Sequence, residues 1–455
     1  MFDLLAHNQF NTSIWGDEGF SAILSFKSFP EIIKIIITDT SPPLWNITER
    51  LAFLTFGTSE VVIRGLAFFY FLLTIFFVYK IGDHLWERRT GLVAAALTFL
   101  NPFFFIYAFE GRMYSILALG VTASMYFFLK RNYVGYVIAT LWALYSHHFA
   151  IFALFVQGIW FLYEVISKQK ERAKKRFKAF LAIGLFYLPW LYPLYLQTSK
   201  VGGGFWLGKP DLHDLKVLIY DYLAQGIKTD TLSLPFTTYK LYEVALYLVF
   251  AVLILRRWHK SIKNTLFLLL WFLGPILMTW LVSQYFTSIF YNRYLLYSIP
   301  AAMLILASKG QKYSGYVVGV LLIVFGIIDF QYFTHPTKLP FKEMGAYVEE
   351  TRQPNDFFIN ADGGSHHLWE TKYYGFNAPI YIPDGGELPY FVGTALMEPD
   401  DIISEIPSEV TRLGVVTSKD TNSQTIPAGF VETDRKEIRE LKLIWFEKLQ
   451  ETSNI

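Results

Sequence analysis

The stretch VVIRGLAFFYFLLTIFFVYKIG, at residues 61–82, is almost entirely apolar, and Arg64 and Lys80 are its charged side chains. A helix of roughly 20 apolar residues crosses the hydrocarbon core of a bilayer, which is about 30 Å thick. Comparable runs follow along the chain, so we expect ten membrane spans. They lie near residues 61–82, 91–109, 113–130, 133–147, 148–166, 179–197, 240–256, 264–283, 294–308 and 313–333.

The composition agrees with a membrane protein. Of the 455 residues, 53% are hydrophobic and only 17% are charged, and the mean hydropathy is +0.33. A soluble globular protein is less apolar than this. Cysteine is absent, which excludes disulfide bonds and thiolate metal sites. The sequence contains no Walker A loop and no Rossmann glycine fingerprint, so it does not support a nucleotide-driven pump or a dinucleotide enzyme.

The distribution of charge divides the chain into two parts. Residues 335–455 contain 11 Lys/Arg and 20 Asp/Glu, a net charge of −9, whereas the preceding residues contain 29 and 18, a net charge of +11. We therefore expect a polytopic α-helical transmembrane domain at residues 1–333 and a soluble α/β domain at residues 334–455. Short strands are expected near residues 356–360, 379–383, 413–417 and 443–447, after a helix near residues 339–351.

Two loop segments have the pattern of helices that lie in the membrane interface. Residues 20–37 are apolar with Pro30 in the middle of the run, which predicts two short helices. Residues 211–225 place apolar side chains at helical spacing, with aspartates on another face. We expect both segments to lie on the outer surface of the membrane.

Basic residues in the loops indicate the orientation. With ten spans, five basic loops fall on one side, which the positive-inside rule assigns to the cytoplasm. We therefore expect a multi-pass protein of the plasma (inner) membrane, with residues 1–60 and the C-terminal domain on the extracytoplasmic side. No basic segment with an apolar core precedes Asp17, so we expect neither a cleavable signal peptide nor a span before it.

Several motifs follow one another in a characteristic order. They are Trp15-Gly16-Asp17-Glu18, Ser41-Pro42-Pro43-Leu44, Thr58–Arg64, Asn101-Pro102, Ala108–Tyr114 and, further on, Tyr291-Asn292-Arg293-Tyr294. The order resembles the GT-C glycosyltransferases, in particular the bacterial branch with protein mannosyltransferase-like and aminoarabinose transferase-like members. The resemblance covers residues 15–150 well and 290–300 moderately. In that family a first span precedes the acidic pair. We therefore expect either that the first outer helix of this chain inserts by itself, or that the given start lies downstream of such a span.

The resemblance implies a membrane enzyme of the cell envelope that moves a sugar from a polyprenyl-phosphate carrier to an acceptor hydroxyl, with inversion. Asp17 would be the general base that takes the proton of the attacking hydroxyl. An aspartate ahead of an apolar run is also a common helix N-cap. Glu18 could orient the acceptor, hold a divalent cation, or merely occupy the first turn of a helix.

Two arginines on the outer side are candidates for binding the donor phosphate, because guanidinium groups bind phosphate oxygens bidentately. They are Arg112, in a short turn between two spans, and Arg293, at the entrance of a later span. A structural contact of Arg112 with Glu110, or snorkelling of its side chain, is the alternative. Glu110, Tyr114, His147 and His148 are further candidates for substrate or metal contacts, although a histidine pair at such a turn is often only a polar break.

Other features of the sequence carry less information. His366-His367 with Asp362, and Asp400-Asp401, lack a metal-ligand spacing, so we expect solvated loops there. The competing hypothesis for the whole chain is a transporter or flippase of lipid-linked glycans. Such proteins place functional charges near the middle of the bilayer and contain repeats, whereas these charges lie at outer turns. The sugar, the acceptor and any requirement for a divalent metal leave no mark in the sequence.

Overall fold

The computed structural model describes residues 7–224, 262–308, 314–361, 365–419 and 429–449. The chain forms two compact units, each built from separate segments. The first comprises Met1–Ile35, Asn46–Ile63 and Pro336–Ile455, and the second comprises Ile36–Trp45 and Arg64–His335. The first unit thus groups N-terminal segments with the acidic tail, a grouping that the sequence did not indicate.

Helices dominate the described residues up to residue 334. They are α1 (Gly16–Ser25), α2 (Phe29–Thr38), α3 (Leu44–Phe56), α4 (Glu60–Leu85), α5 (Arg88–Phe99), α6 (Pro102–Ile106), α7 (Tyr114–Lys130), α8 (Tyr133–Ser146), α9 (Ala150–Ile166), α10 (Lys170–Tyr187), α11 (Leu191–Gly202), α12 (Leu212–Ala224), α13 (Ile262–Tyr285), α14 (Ile299–Ala307) and α15 (Ser314–Thr334).

Helices occupy nine of the ten predicted spans, and the tenth, residues 240–256, lies outside the described residues. Within those residues, three helices are long and apolar enough to cross a membrane: α4, the run Lys170–Gly202, and α13. A fourth candidate is the pair α5 and α6, which bends by 61°. The bend falls at Asn101-Pro102, where the Asn101 side chain accepts a hydrogen bond from Phe104 N at 3.0 Å and caps α6. That the chain crosses the membrane ten times stays a prediction.

The predicted interfacial segments are helical. Residues 20–37 fall into two helices, as expected, but Pro30 lies in the first turn of α2 and not at the break, because proline fits the first turn of a helix. The predicted helix at 211–225 corresponds to α12. Their location on a membrane surface stays a prediction.

A hydrogen-bond network joins three apolar helices of the second unit. The Gln157 amide of α9 donates to Ser124 of α7 at 2.8 Å, and Tyr136 of α8 donates to Gln157 at 2.9 Å. Gly120 of α7 lies so close to α8 that an added Cβ would be 2.7 Å from Ala143 N. Small residues and shared hydrogen bonds hold helices together where both are apolar.

The tail folds as an α/β domain, as the sequence predicts. Its elements are α16 (Phe341–Thr351), β1 (Asp356–Asn360), α17 (His366–Tyr373), β2 (Ile380–Tyr381), β3 (Ile402–Ile403), β4 (Arg412–Thr417), β5 (Phe430–Ile438) and β6 (Leu441–Lys448).

The six strands form one sheet in the order β3-β2-β1-β4-β6-β5. The first four are parallel, and β6 and β5 complete the sheet antiparallel. Two separate apolar clusters line its faces, one around Phe358, Leu443 and Trp445, and the other around Leu413 and Ile444. A sheet buried on both faces gives the domain its own core.

Candidate functional site

The acidic pair lies in the first turn of α1, within the first unit. The Asp17 side chain is partly exposed, whereas Glu18 is fully buried. The residue before the helix is Trp15, with an extended backbone, and its N–H donates to Glu18 Oε2 at 3.2 Å. Trp15, not Asp17, is therefore the N-cap residue, and the alternative interpretation of Asp17 as an N-cap is wrong.

Glu18 forms an ion pair with the tail. Lys338 Nζ lies 2.9 Å from Glu18 Oε2, and the Lys338 side chain is only 13% exposed. A carboxylate that is fully removed from water needs such a partner to stay ionised. Because an ammonium group already occupies one of its oxygens, Glu18 is better suited to hold α1 in place than to exchange protons with a substrate.

Helix α1 packs closely against α17 of the tail. A Cβ added to Gly16 would lie 2.2 Å from the Cβ of His366, and one added to Gly19 would lie 2.9 Å from the carbonyl oxygen of Trp369. The Phe20 ring meets the Trp369 indole edge to face at 5.3 Å between centroids. The two glycines allow the backbones to approach, so the sequence around the acidic pair is shaped for this contact.

A row of hydrogen bonds runs from the sheet of the tail to the start of α1. Ser418 Oγ lies 2.9 Å from His367 Nε2, and His367 Nδ1 lies 2.8 Å from Glu370 Oε2. Glu370 also accepts a hydrogen bond from the backbone N–H of Gly16. Burial raises the pKa of Glu370, and the hydrogen bond from His367 opposes this change. The row therefore ends on Gly16, the first residue of α1 and the neighbour of Asp17.

These contacts correct two expectations for the tail. His367 is buried in α17 and hydrogen-bonded on both ring nitrogens, so it does not lie in a solvated loop. Asp401 is buried as well, and it forms an ion pair with Lys372, whose Nζ lies 2.5 Å from Oδ1. Asp362 lies outside the described residues.

The segment before the acidic pair is also tied to the tail. The N–H of Ile14 donates to the Tyr374 hydroxyl at 2.9 Å, and this hydroxyl donates to Glu60 Oε1 at 3.0 Å. Burial raises the pKa of Tyr374, so the phenol keeps its proton and remains a donor to Glu60. Lys342 Nζ lies 3.3 Å from the other oxygen of Glu60. The segment before Asp17 is thus tied, through Ile14, to Tyr374 of the tail, which sequence reasoning did not select.

The second unit contains a cavity of about 770 Å³. Apolar side chains form most of its wall, among them Leu144, Phe152 and Leu194. Polar side chains that reach it include Arg112, His147, His148, Gln197 and Tyr294. A mostly apolar cavity of this size with a few grouped polar side chains is typical of a small-molecule or lipid site.

The two histidines follow α8 in a turn outside the helices. His148 Nε2 lies 2.7 Å from Gln197 Oε1, and the Gln197 amide donates to the carbonyl oxygens of Ile36 and Ser41. The turn therefore brings both imidazoles and Arg112 to the wall of one cavity.

Arg293 lies beside the cavity among aromatic rings. Its guanidinium carbon is 4.9 Å from the ring centre of Tyr291 and 5.4 Å from that of Tyr114. The Tyr294 ring lies 4.9 Å from His147 and 6.2 Å from Tyr114, so Tyr294 connects these groups. The aromatic faces favour the cation and hold it in one orientation.

The structure thus brings together most residues that the sequence selected in this unit. Arg112, Arg293, Tyr114 and the histidine pair form one cluster, and Glu110 is buried next to it in the chain, with its carbonyl accepting from Arg112 N at 2.7 Å. Sequence reasoning missed Gln197. The feature that could have indicated Gln197 is that it is a single amide side chain in the otherwise apolar part of α11. Among the described residues, no three His, Asp or Glu side chains lie close enough together to hold a metal ion.

Solved structures that match nearly the whole chain are GT-C glycosyltransferases, and this chain has their fold. No family model matches the sequence, and no curated protein matches it by sequence.

One matching structure is the aminoarabinose transferase ArnT from Cupriavidus metallidurans in the apo state, with a TM-score of 0.63, 12% identity, and coverage of 96% of this chain and 94% of that chain. The same protein bound to undecaprenyl phosphate matches with a TM-score of 0.61 and 11% identity over 96% and 95% of the chains. The oligosaccharyltransferase of Archaeoglobus fulgidus, in complex with Zn and sulfate, matches with a TM-score of 0.52 and 12% identity. The match covers 89% of this chain and 64% of that chain.

Proposed function

We propose that this protein is a membrane glycosyltransferase that moves a sugar from a polyprenyl-phosphate carrier to an acceptor hydroxyl on the extracytoplasmic face. In the proposed step, the acceptor oxygen attacks the anomeric carbon from the side opposite the phosphate. The bond between that carbon and the phosphate oxygen breaks, its electron pair leaves with the polyprenyl phosphate, and the sugar is inverted. The acceptor proton passes to Asp17.

The cavity of the second unit is the observation that carries the proposal. It combines an apolar wall, suited to an isoprenoid chain, with the Arg112 guanidinium and two imidazoles, suited to a phosphate. Arg293 adds a second positive charge within electrostatic reach of His147. An amphiphile with an anionic head and an apolar tail matches this combination, whereas a free sugar or a nucleotide would leave most of the wall without a partner.

Arg112 and Arg293 have a defined task in this reaction. Negative charge develops on the phosphate oxygens as the carrier leaves, and fixed cations in an apolar site stabilise that charge strongly. The fold shared with ArnT, which has also been solved with undecaprenyl phosphate, supports this class of carrier.

Asp17 is the carboxylate that we propose as the general base. Of the adjacent pair, its side chain is the one partly open to solvent, and Glu18 is engaged by Lys338. We therefore assign the proton transfer to Asp17 and the placement of the helix to Glu18. The outer location of the reaction rests on the charge of the loops.

The test is transfer from labelled polyprenyl-phosphate sugars by the purified protein in lipid nanodiscs, with membrane extracts of the source cell as acceptors. Asp17→Asn should lower the rate roughly 10²–10⁴-fold, the usual contribution of a general base. Asp384→Asn, at an exposed aspartate of the tail, is the matched control and should keep the wild-type rate.

Full transfer by Asp17→Asn would remove Asp17 from the mechanism. If the protein instead moved an intact lipid-linked glycan across a vesicle membrane and transferred no sugar from any donor, the flippase hypothesis would replace this one.

A further inference from the structure

The first turn of α1 is attached to the tail at two adjacent points. Glu370 accepts from the N–H of Gly16, and Lys338 pairs with the Glu18 carboxylate at 2.9 Å. Asp17 lies between these two anchored residues. We propose that Lys338 is a positioning residue that, through Glu18, fixes the orientation of Asp17. This inference rests on the proposed role of Asp17 as the base.

The geometry shows how the effect is transmitted. Glu18 Oε2 receives both the Lys338 ammonium and the N–H of Trp15, the residue before the helix. The helix therefore starts at the place where this carboxylate is held. Since the direction of a side chain in the first turn follows from the helix start, a shift of Glu18 would turn Asp17 away from its position.

The closeness of α1 and α17 leaves little freedom to compensate. At Gly16 and Gly19 the backbone of α1 lies so close to α17 that a Cβ would not fit, so α1 cannot slide over α17 without a clash. An error of about 1 Å in the position of a reacting group can lower the rate about 10²-fold. Lys338 therefore acts on the rate of the chemical step without touching the substrate.

The row Ser418–His367–Glu370 has a related role. Its order, a hydroxyl, an imidazole and a carboxylate, is also that of a hydrolytic triad. Here Glu370 additionally accepts the N–H of Gly16, so its carboxylate is used to anchor α1. The row is a second support for the same turn.

The experiment compares Lys338→Met, Lys338→Arg and the double variant Lys338→Met/Glu18→Gln in the full-length protein. Lys174→Met, at an exposed lysine of α10, is the control. Hydrogen exchange of the amides at residues 14–20 reports on the position of the turn without any need for activity. The second readout is the steady-state kinetics of sugar transfer, with kcat and the KM of the lipid-linked donor measured separately.

Lys338→Met should raise exchange at residues 14–20 tenfold or more and lower kcat by a similar factor, with the donor KM within about twofold of wild type. Lys338→Arg should restore the wild-type rate of exchange and the wild-type kcat. The double variant removes the buried unpaired charge, so its thermal midpoint should return towards wild type while kcat stays low. A recovered thermal midpoint together with a low kcat would show that Lys338 orients Asp17 and does not merely stabilise the fold.

Wild-type exchange at residues 14–20 in Lys338→Met would overturn the inference, whatever the activity. A double variant that regained full kcat with its stability would also overturn it, since Lys338 would then have only a structural role. If exchange rose as expected and the wild-type protein transferred no sugar from any donor, the positioning contact would stand and the proposed function would fail.

Discussion

At residue scale, two neighbouring carboxylates of this chain have opposite surroundings. Glu18 is fully buried and ion-paired, and Asp17 is partly exposed. Helical geometry allows the difference, because successive side chains point in directions about 100° apart. Adjacent residues of the same type can therefore divide the tasks of support and chemistry.

A prediction for Arg112 tests the phosphate site at this scale. Arg112→Met removes the guanidinium that lines the cavity and should lower kcat for transfer roughly 10²–10³-fold, the range for losing one transition-state donor. Arg112→Lys should recover only part of the rate, because an ammonium cannot bind two phosphate oxygens in a fork. The measurement is the initial rate at saturating lipid-linked donor.

Arg89→Met provides the control, since this exposed arginine lies in the first turn of α5, at an end of the predicted span 91–109 that we expect to face the cytoplasm. A wild-type rate in Arg112→Met would show that the cavity does not bind the reacting phosphate.

The sequence could indicate some of these residues and not others. Arg112 and Arg293 stand out because a positive charge on the outer side opposes the bias of the loops. Lys338 does not stand out. Its partner Glu18 is 320 residues away, and nothing local in the sequence links a lysine of the tail to an acidic loop.

At the scale of elements, the contact between α1 and α17 depends on glycine. Gly19→Ala would place a Cβ 2.9 Å from the Trp369 carbonyl oxygen, a backbone atom that cannot turn aside. Overpacking of this kind costs about 1–3 kcal/mol. We expect a lower midpoint of thermal unfolding for the purified variant and faster hydrogen exchange in α17.

Gly184→Ala is the matched control. Nothing lies within 4 Å of an added Cβ at Gly184, in the interior of α10, so alanine should be neutral or slightly stabilising. Equal midpoints for Gly19→Ala and wild type would mean that the two helices do not approach as closely as the structure indicates.

Elements with a strong local pattern were predicted and elements without one were not. Strands β1 and β4 match the predicted segments closely, since both are apolar and bounded by turn residues. Strand β5, with the sequence FVETDRKEI, was missed. It lies at the edge of the sheet and is mostly exposed, and charged residues on an edge strand hide the alternation on which such predictions rely.

At the scale of the whole molecule, the absence of cysteine allows a direct test of orientation. We expect Asp384→Cys, in the tail, to react with a membrane-impermeant maleimide in intact cells whose outer barrier is open to the reagent. Lys174→Cys, in a predicted cytoplasmic loop, should react only after the membrane is disrupted. Labelling of Lys174→Cys in intact cells would show that the predicted orientation in the membrane is wrong.

The first unit draws its parts from both ends of the described chain, and this has a consequence for biosynthesis. A chain that grows at about 5–20 residues per second needs roughly 15–65 s to pass from Glu18 to Lys338, which are 320 residues apart. During that interval the acidic loop has left the ribosome, and the partners of Glu18 and Gly16 do not yet exist. A nascent chain therefore holds the start of α1 without the ion pair and the backbone hydrogen bond that the tail later supplies.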